Sequence, residues 1–316
     1  MTDSLHPIYT LNTPILPVTA EARLVYLMIE VEQTSDAPAA NGASASAPPV
    51  NLALVLDVSD SMHIRVATDE EFEALAQQGL LQETLIDGVA AWQSTDLSAD
   101  LLSRMPRKID RLRDALHVVI EHLHPDDRFS VVVFAGEALI LIPTTSGAEK
   151  KRLLSVLDQL ECFQLGDDTY IGRGMALAFE TIRQGAANGL VNRMLILTDG
   201  FTRDEQDCRA WAARARKSRI PISTIGLGGD FNEELMIPIA DQTGGEAYLL
   251  EHPEDMPAVF AQELQRAQAV HYRNLELKLR PMEGVELRAA YRIRPTIGVL
   301  ETTNEGGSYS FSLGDM

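Results

Sequence analysis

Leu52-Ala53-Leu54-Val55-Leu56 is an unbroken apolar run that stops on Asp57-Val58-Ser59-Asp60-Ser61. A strand with no polar alternation is covered on both faces, which is the habit of parallel sheets in α/β domains. Such sheets collect ligands beyond the carboxyl ends of their strands, and Asp57 stands at one of those ends. Asp57, Ser59 and Ser61, at every second position, offer oxygen donors alone, which suits Mg²⁺ or Mn²⁺ better than zinc. The run predicts a buried strand carrying a hard-cation site at its tip.

From Asn51 onward, segments of strand and helix character alternate. Strands are expected at 51–56, 128–134, 193–198, 221–227 and 246–250, with a short edge strand near 138–143. Helices are expected at 107–123, 148–160, 171–184, 203–217, 232–242 and 254–270. In the first long helix Ile109, Leu112, Leu116, Val119 and Leu123 recur at helical spacing, so one stripe packs on the sheet. The pattern is that of a Rossmann-like, doubly wound α/β fold, with a mostly parallel six-stranded sheet and one antiparallel edge strand.

Both ends of the chain read differently. Residues 21–32 are strand-like, and Ser35 to Pro49 is dominated by Ala, Ser, Pro and Gly. After Ala269, Leu275-Glu276-Leu277-Lys278-Leu279, Val285-Glu286-Leu287 and Tyr309-Ser310-Phe311-Ser312-Leu313 alternate as half-exposed antiparallel strands do. The expected organisation is an accessory β domain built from residues 1–34 and 271–316, a flexible linker at 35–49, and the α/β domain inserted at 50–270. Gly314-Asp315-Met316 ends the chain in mid-pattern, as expected of a trimmed chain.

Charge narrows the partners. The 316 residues hold 27 Lys and Arg against 46 Asp and Glu, a formal net charge of -19, which disfavours nucleic acid and anionic membranes and favours divalent cations. Cys162 and Cys208 are far apart and in no zinc spacing, which suits a reduced compartment. With no basic leader followed by an apolar stretch and no run of membrane length, a soluble cytoplasmic protein is expected. His117, His122 and His124 lie around the first helix without an H-E-x-x-H pattern and are assigned nothing.

Two further segments point to the same sheet edge. Asn192 to Leu197 is a second apolar strand leading into Thr198-Asp199-Gly200, and Asp167-Asp168-Thr169 directly precedes a helix. A D-x-S-x-S loop after a first strand, a Thr before a later helix and T-D-G after the fourth strand together resemble the metal-ion-dependent adhesion site of von Willebrand factor A domains. The resemblance spans roughly residues 50 to 270. It implies that Asp57, Ser59, Ser61, Thr169 and Asp199 form the first and second shells of one divalent cation, Mg²⁺ or Mn²⁺, with Ca²⁺ allowed.

The same resemblance implies a non-enzymatic protein-interaction module, in which a Glu or Asp of a partner protein fills an open coordination position. Intracellular bacterial relatives of that kind often work beside AAA ATPases or signalling components. Two Asp balance the ion's charge, while neutral hydroxyls leave it electrophilic enough to attract an anion. Asp167 and Asp168 depart from the Gly that many relatives have before this Thr, and extra acids there would tighten the cation or repel an acidic ligand. The resemblance also implies that the last helix, running into the Leu275 strand, couples the metal site to its neighbour.

The resemblance implies a first helix soon after the D-x-S-x-S loop, so residues 64–106, which intervene before the first long helix, look like added material. From Ile64 to Asp100, Asp69, Glu70, Glu71, Glu73, Glu83, Asp87, Asp96 and Asp100 face only Arg65 in charge, and Leu75, Leu81, Leu85, Val89 and Trp92 fit one or two amphipathic helices. An acidic helical insertion that shapes ligand access is expected.

Two other classes compete. An Asp at the end of a first parallel strand is also the nucleophile of haloacid-dehalogenase-like phosphatases, which use Mg²⁺ for phosphoryl transfer. Those enzymes carry a second Asp two residues on as general acid, and here that position is Ser59. The other alternative is a structural scaffold with no functional metal site.

Overall fold

The computed structural model describes residues 4–13, 22–34, 48–67, 69–86, 89–94, 105–160, 165–166, 168–187, 189–228, 231–270, 275–293, 298–300 and 302–314. Asp167, Cys162 and most of the expected linker at 35–49 lie outside them.

Residues 1–46 form one compact unit and 47–316 another. In the first, β1 (Ser4–Leu11) and β2 (Leu27–Thr34) pair antiparallel, from Leu11 opposite Leu27 to Ser4 opposite Thr34. The strand expected at 21–32 therefore begins later, at Leu27.

The second unit is built on a six-stranded sheet. In chain order its strands are β3 (Val50–Asp57), β6 (Arg128–Phe134), β7 (Ala138–Ser146), β8 (Val191–Thr198), β9 (Ile222–Leu227) and β10 (Ala247–Leu250). They lie side by side as β10-β9-β8-β3-β6-β7, all parallel except β7, which runs antiparallel along the β6 edge. The helices of the domain are α2 (Lys108–His122), α3 (Lys150–Leu157), α4 (Ile171–Gly185), α5 (Glu205–Lys217), α6 (Glu233–Thr243) and α7 (Met256–Gln268).

The unbroken apolar run explains itself in β3, which is buried along its whole length. Leu52, Leu54 and Leu56 point into a core with Ile109, Leu112 and Leu116 of α2 and Phe260 and Leu264 of α7. Ala53 and Val55 point the other way, against Met175 and Ala178 of α4, Ala212 of α5 and Leu235 of α6. A strand between two helical layers needs apolar residues at both parities. Emptying one such position, as in Leu54→Ala, costs about 2–5 kcal/mol. The close fit extends to Gly174, where a Cβ would come within 2.7 Å of the Val55 side chain.

The insertion differs from the all-helical expectation. Among its described residues are a helix, α1 (Asp69–Gln77), and then an antiparallel hairpin of β4 (Leu81–Ile86) and β5 (Val89–Ser94), registered from Leu81 opposite Ser94 to Ile86 opposite Val89. Apolar residues at 81, 85, 89 and 92 mimic helical spacing, but an Asp-Gly pair lies between Ile86 and Val89, the residue types that favour two-residue hairpins.

At the C-terminal end, β11 (Leu275–Leu279) and β15 (Ser308–Gly314) pair antiparallel as their alternation suggests, with β14 (Thr303–Glu305) beyond β15. The strand expected at Val285-Glu286-Leu287 does not form. The chain turns there, with the Val285 amide on the Met282 carbonyl and Gly284 at φ +85°, and Val285 stays exposed. A short bridge of β12 (Tyr291–Arg292) and β13 (Gly298–Val299) follows.

Candidate metal centre

β3 and β8 are parallel neighbours in a register that sets Leu56 opposite Leu197. Their next residues, Asp57 and Thr198, therefore leave the sheet side by side, and the Thr198 hydroxyl donates to Oδ2 of Asp57 over 2.7 Å. The other carboxylate oxygen of Asp57 accepts the Ser59 amide at 2.9 Å. Ser59 is extended and caps a short 3₁₀ turn, Asp60–His63, whose Met62 is fully buried and anchors it. That turn brings the Ser61 hydroxyl 3.0 Å from the Ser59 hydroxyl and 2.6 Å from Oδ1 of Asp199, to which it donates. Asp57, Ser59 and Asp199 are buried, and Ser61 is half-buried.

The electrostatics are strained on the Asp57 side. Burial, and then the charge of Asp199, push its carboxyl up to about 6, against the pull of the Ser59 and Thr198 hydrogen bonds. Asp199 has a basic neighbour, the Lys108 ammonium at 2.8 Å from its Oδ2. Two carboxylates thus share one positive charge inside the protein.

Thr169 comes from a third segment, between α3 and α4. The Tyr170 amide bonds to the Ala135 carbonyl, and the Thr169 carbonyl accepts the Arg203 amide at 2.9 Å and the Thr202 hydroxyl at 3.1 Å. Thr202 also accepts the Ile171 amide, and Asp204 accepts the amides of Gly172 and Arg173 at 3.1 and 3.2 Å. A Cβ on Gly172 would lie 2.7 Å from Asp204, so the glycine permits this approach. The start of α4 is therefore held by the loop after β8 rather than by its own cap residue, Tyr170, whose side chain makes no capping bond. With Asp168, Phe201, Thr202 and Arg203, Thr169 lines an open cavity of about 340 Å³.

The structure joins four of the five expected site residues, Asp57, Ser59, Ser61 and Asp199, in one hydrogen-bonded group. Thr169 is tied instead to Thr202 and Arg203 of the loop after β8. Of the two acids flagged before it, Asp168 faces the exposed guanidinium of Arg203 at 3.2 Å, a pair that water largely screens. Sequence reasoning missed Lys108, Thr202 and Asp204. Cys208 is buried beside Asp204, and burial pushes its thiol up, out of the reactive range.

The donor set fits a hard cation. Among the described residues no three His, Cys, Asp or Glu side chains gather as a metal cluster, so an ion here would need the Ser59 and Ser61 hydroxyls as well as the two carboxylates. Mg²⁺ accepts such a set and keeps several waters.

Residues 100–262 match the von Willebrand factor type A domain family. The chain belongs to that family. The match begins beyond β3 and the D-x-S-x-S loop. VWA domains are in general non-enzymatic interaction modules that bind divalent metal. Among relatives, YfbK of Escherichia coli (strain K12) is 28% identical over 155 residues, 48% of this chain and 26% of its own length. The Synechocystis protein sll0103 is 24% identical over 213 residues, 66% of this chain and 50% of its own. The chain thus spans about half or less of the length of these VWA relatives. In structure, a von Willebrand factor type A protein from Catenulispora acidiphila superposes with a TM-score of 0.71 at 14% identity, covering 99% of this chain and 62% of that one. The ArnB paralog VWA2 from Sulfolobus acidocaldarius gives 0.52 at 15% identity, over 98% and 66%. Among the described residues no helix is long and apolar enough to cross a membrane.

Proposed function

We propose that this VWA domain captures a partner protein through a divalent cation held by Asp57, Ser59, Ser61, Thr169 and Asp199. The observation that carries the reading is the run of bonds from Ser59 through Ser61 to Asp199, beside a buried Asp57 whose ionisation the fold disfavours. Mg²⁺ or Mn²⁺ would relieve that unfavourable charge, and both hydroxyls keep lone pairs for coordination. A Glu or Asp of the partner then takes the place of a bound water, entering over the cavity at Thr169 and Phe201. The insertion leaves the chain just after Ser61, so it flanks the same approach and contributes to recognition.

Affinity capture tests this reading. Wild type in Mg²⁺ retains a partner that both EDTA and Asp57→Ala release; a partner retained equally in all three conditions refutes cation-dependent capture.

A further inference from the structure

Lys108, the first residue of α2, places its ammonium 2.8 Å from Oδ2 of Asp199, with side chains only 17% and 1% exposed. Its backbone is fixed by the turn that carries the serines. The Lys108 amide donates to the Ile64 carbonyl at 3.2 Å, and the Ile64 amide donates to the Ser61 carbonyl at 3.2 Å. One step further out, the Val66 amide meets the Pro106 carbonyl at 2.9 Å and the Arg65 guanidinium meets the Met105 carbonyl at 2.6 Å. The two ends of the insertion close on each other there, and Lys108 emerges from the closure aimed at the acid that Ser61 also holds.

We infer that Lys108 sets the cation affinity of this centre, acting as a built-in competitor for Asp199. The inference rests on the reading of Asp57, Ser59, Ser61, Thr169 and Asp199 as a cation site. A lysine ammonium is a compact point charge, and a divalent ion drawn to Asp199 meets it at close range in a place where water screens little. The ion must either displace the ammonium or tolerate its repulsion. With Lys108 in place, the two acids carry a net charge of minus one toward the ion rather than minus two. The opposite role is also physically coherent: a lysine that merely holds two buried acids together would, on removal, leave them splayed and the site weaker. The two roles predict opposite signs.

Mn²⁺ binding to the full chain, read from the electron paramagnetic resonance of free Mn²⁺, separates them. Lys108→Met keeps the length of the stem and removes the charge; Lys108→Gln, which still donates a hydrogen bond, takes its place if the first variant does not fold. We expect neutralisation to tighten Mn²⁺ binding by about tenfold or more, as expected for removing a positive charge at close range in a poorly screened site. Lys108→Arg, which keeps the charge, stays near wild type. Unchanged or weaker binding in the neutral variants overturns the role of Lys108 while leaving the cation site standing, provided Asp57→Asn abolishes wild-type binding. If neither wild type nor Lys108→Met binds Mn²⁺, or if Asp57→Asn binds as well as wild type, the cation site itself falls, and the inference with it.

Discussion

The hydroxyl of Thr198 donates to Oδ2 of Asp57 over 2.7 Å, joining residues 141 positions apart at the ends of two neighbouring parallel strands. The bond compensates only part of what burial costs Asp57, whose carboxyl is still pushed up to about 6 by desolvation and by Asp199. Keeping that carboxylate ionised at neutral pH therefore works against folding. Asp57→Asn should raise the stability of the cation-free protein by about 1–3 kcal/mol. The same substitution should remove the stabilisation that Mg²⁺ gives wild type. Urea unfolding of both proteins in EDTA and in Mg²⁺ checks the pair of outcomes.

Asp204 accepts two backbone amides at the start of α4 and the Thr202 hydroxyl, and so holds the segment that carries Thr169. Asp204→Ala should destabilise the domain by about 1–2 kcal/mol, the cost of an emptied helix cap. Asp204→Asn keeps an acceptor and should recover most of that loss. The midpoints of denaturant unfolding provide the test.

Asp110 predicts a pH dependence. Burial alone would raise its carboxyl, but the hydrogen bonds from Arg107 and the charges of Arg107 and Arg113 outweigh it and hold the group below its ordinary 3.8. A carboxyl depressed in the fold stabilises fully above its unfolded value and loses that contribution as pH falls through the folded one. The stability advantage of wild type over Asp110→Asn should accordingly be constant near neutrality and shrink below about pH 3.8. Paired urea titrations from pH 7 down through this window measure it.

The insertion closes at its base through the Val66–Pro106 and Ile64–Lys108 bonds. Replacing residues 67–104 by a short Gly-Ser link should leave the VWA domain folded, with Tm changed by less than about 4 °C. Capture of the cation-dependent partner should fall. Unaltered capture by the shortened protein would remove the insertion from recognition.

The parts of the centre that could be read from sequence are those encoded locally. Leu52 to Leu56 announces a doubly covered strand because both parities are apolar, and Asp57, Ser59, Ser61 and Thr198-Asp199-Gly200 sit directly on strand ends. Lys108 was hidden because the whole insertion separates it in sequence from the serines it stands behind. Thr202 and Asp204 act by holding another segment's backbone, a tertiary role with no local signature. Thr169, expected among the cation's ligands, precedes a helix whose first amides are held by Thr202 and Asp204 of another segment. In the insertion, apolar spacing suggested helix where cross-strand pairing won. At Val285 the alternation finds no strand to pair with among the described residues.

Anomalous scattering from crystals grown in Mn²⁺ would locate the ion directly. A single strong peak in contact with the Ser59 and Ser61 hydroxyls and enclosed by Asp57, Thr169 and Asp199 is the expected result. A fully ordered loop and strand edge with no peak there, at a Mn²⁺ concentration that saturates binding in solution, would contradict the metal centre.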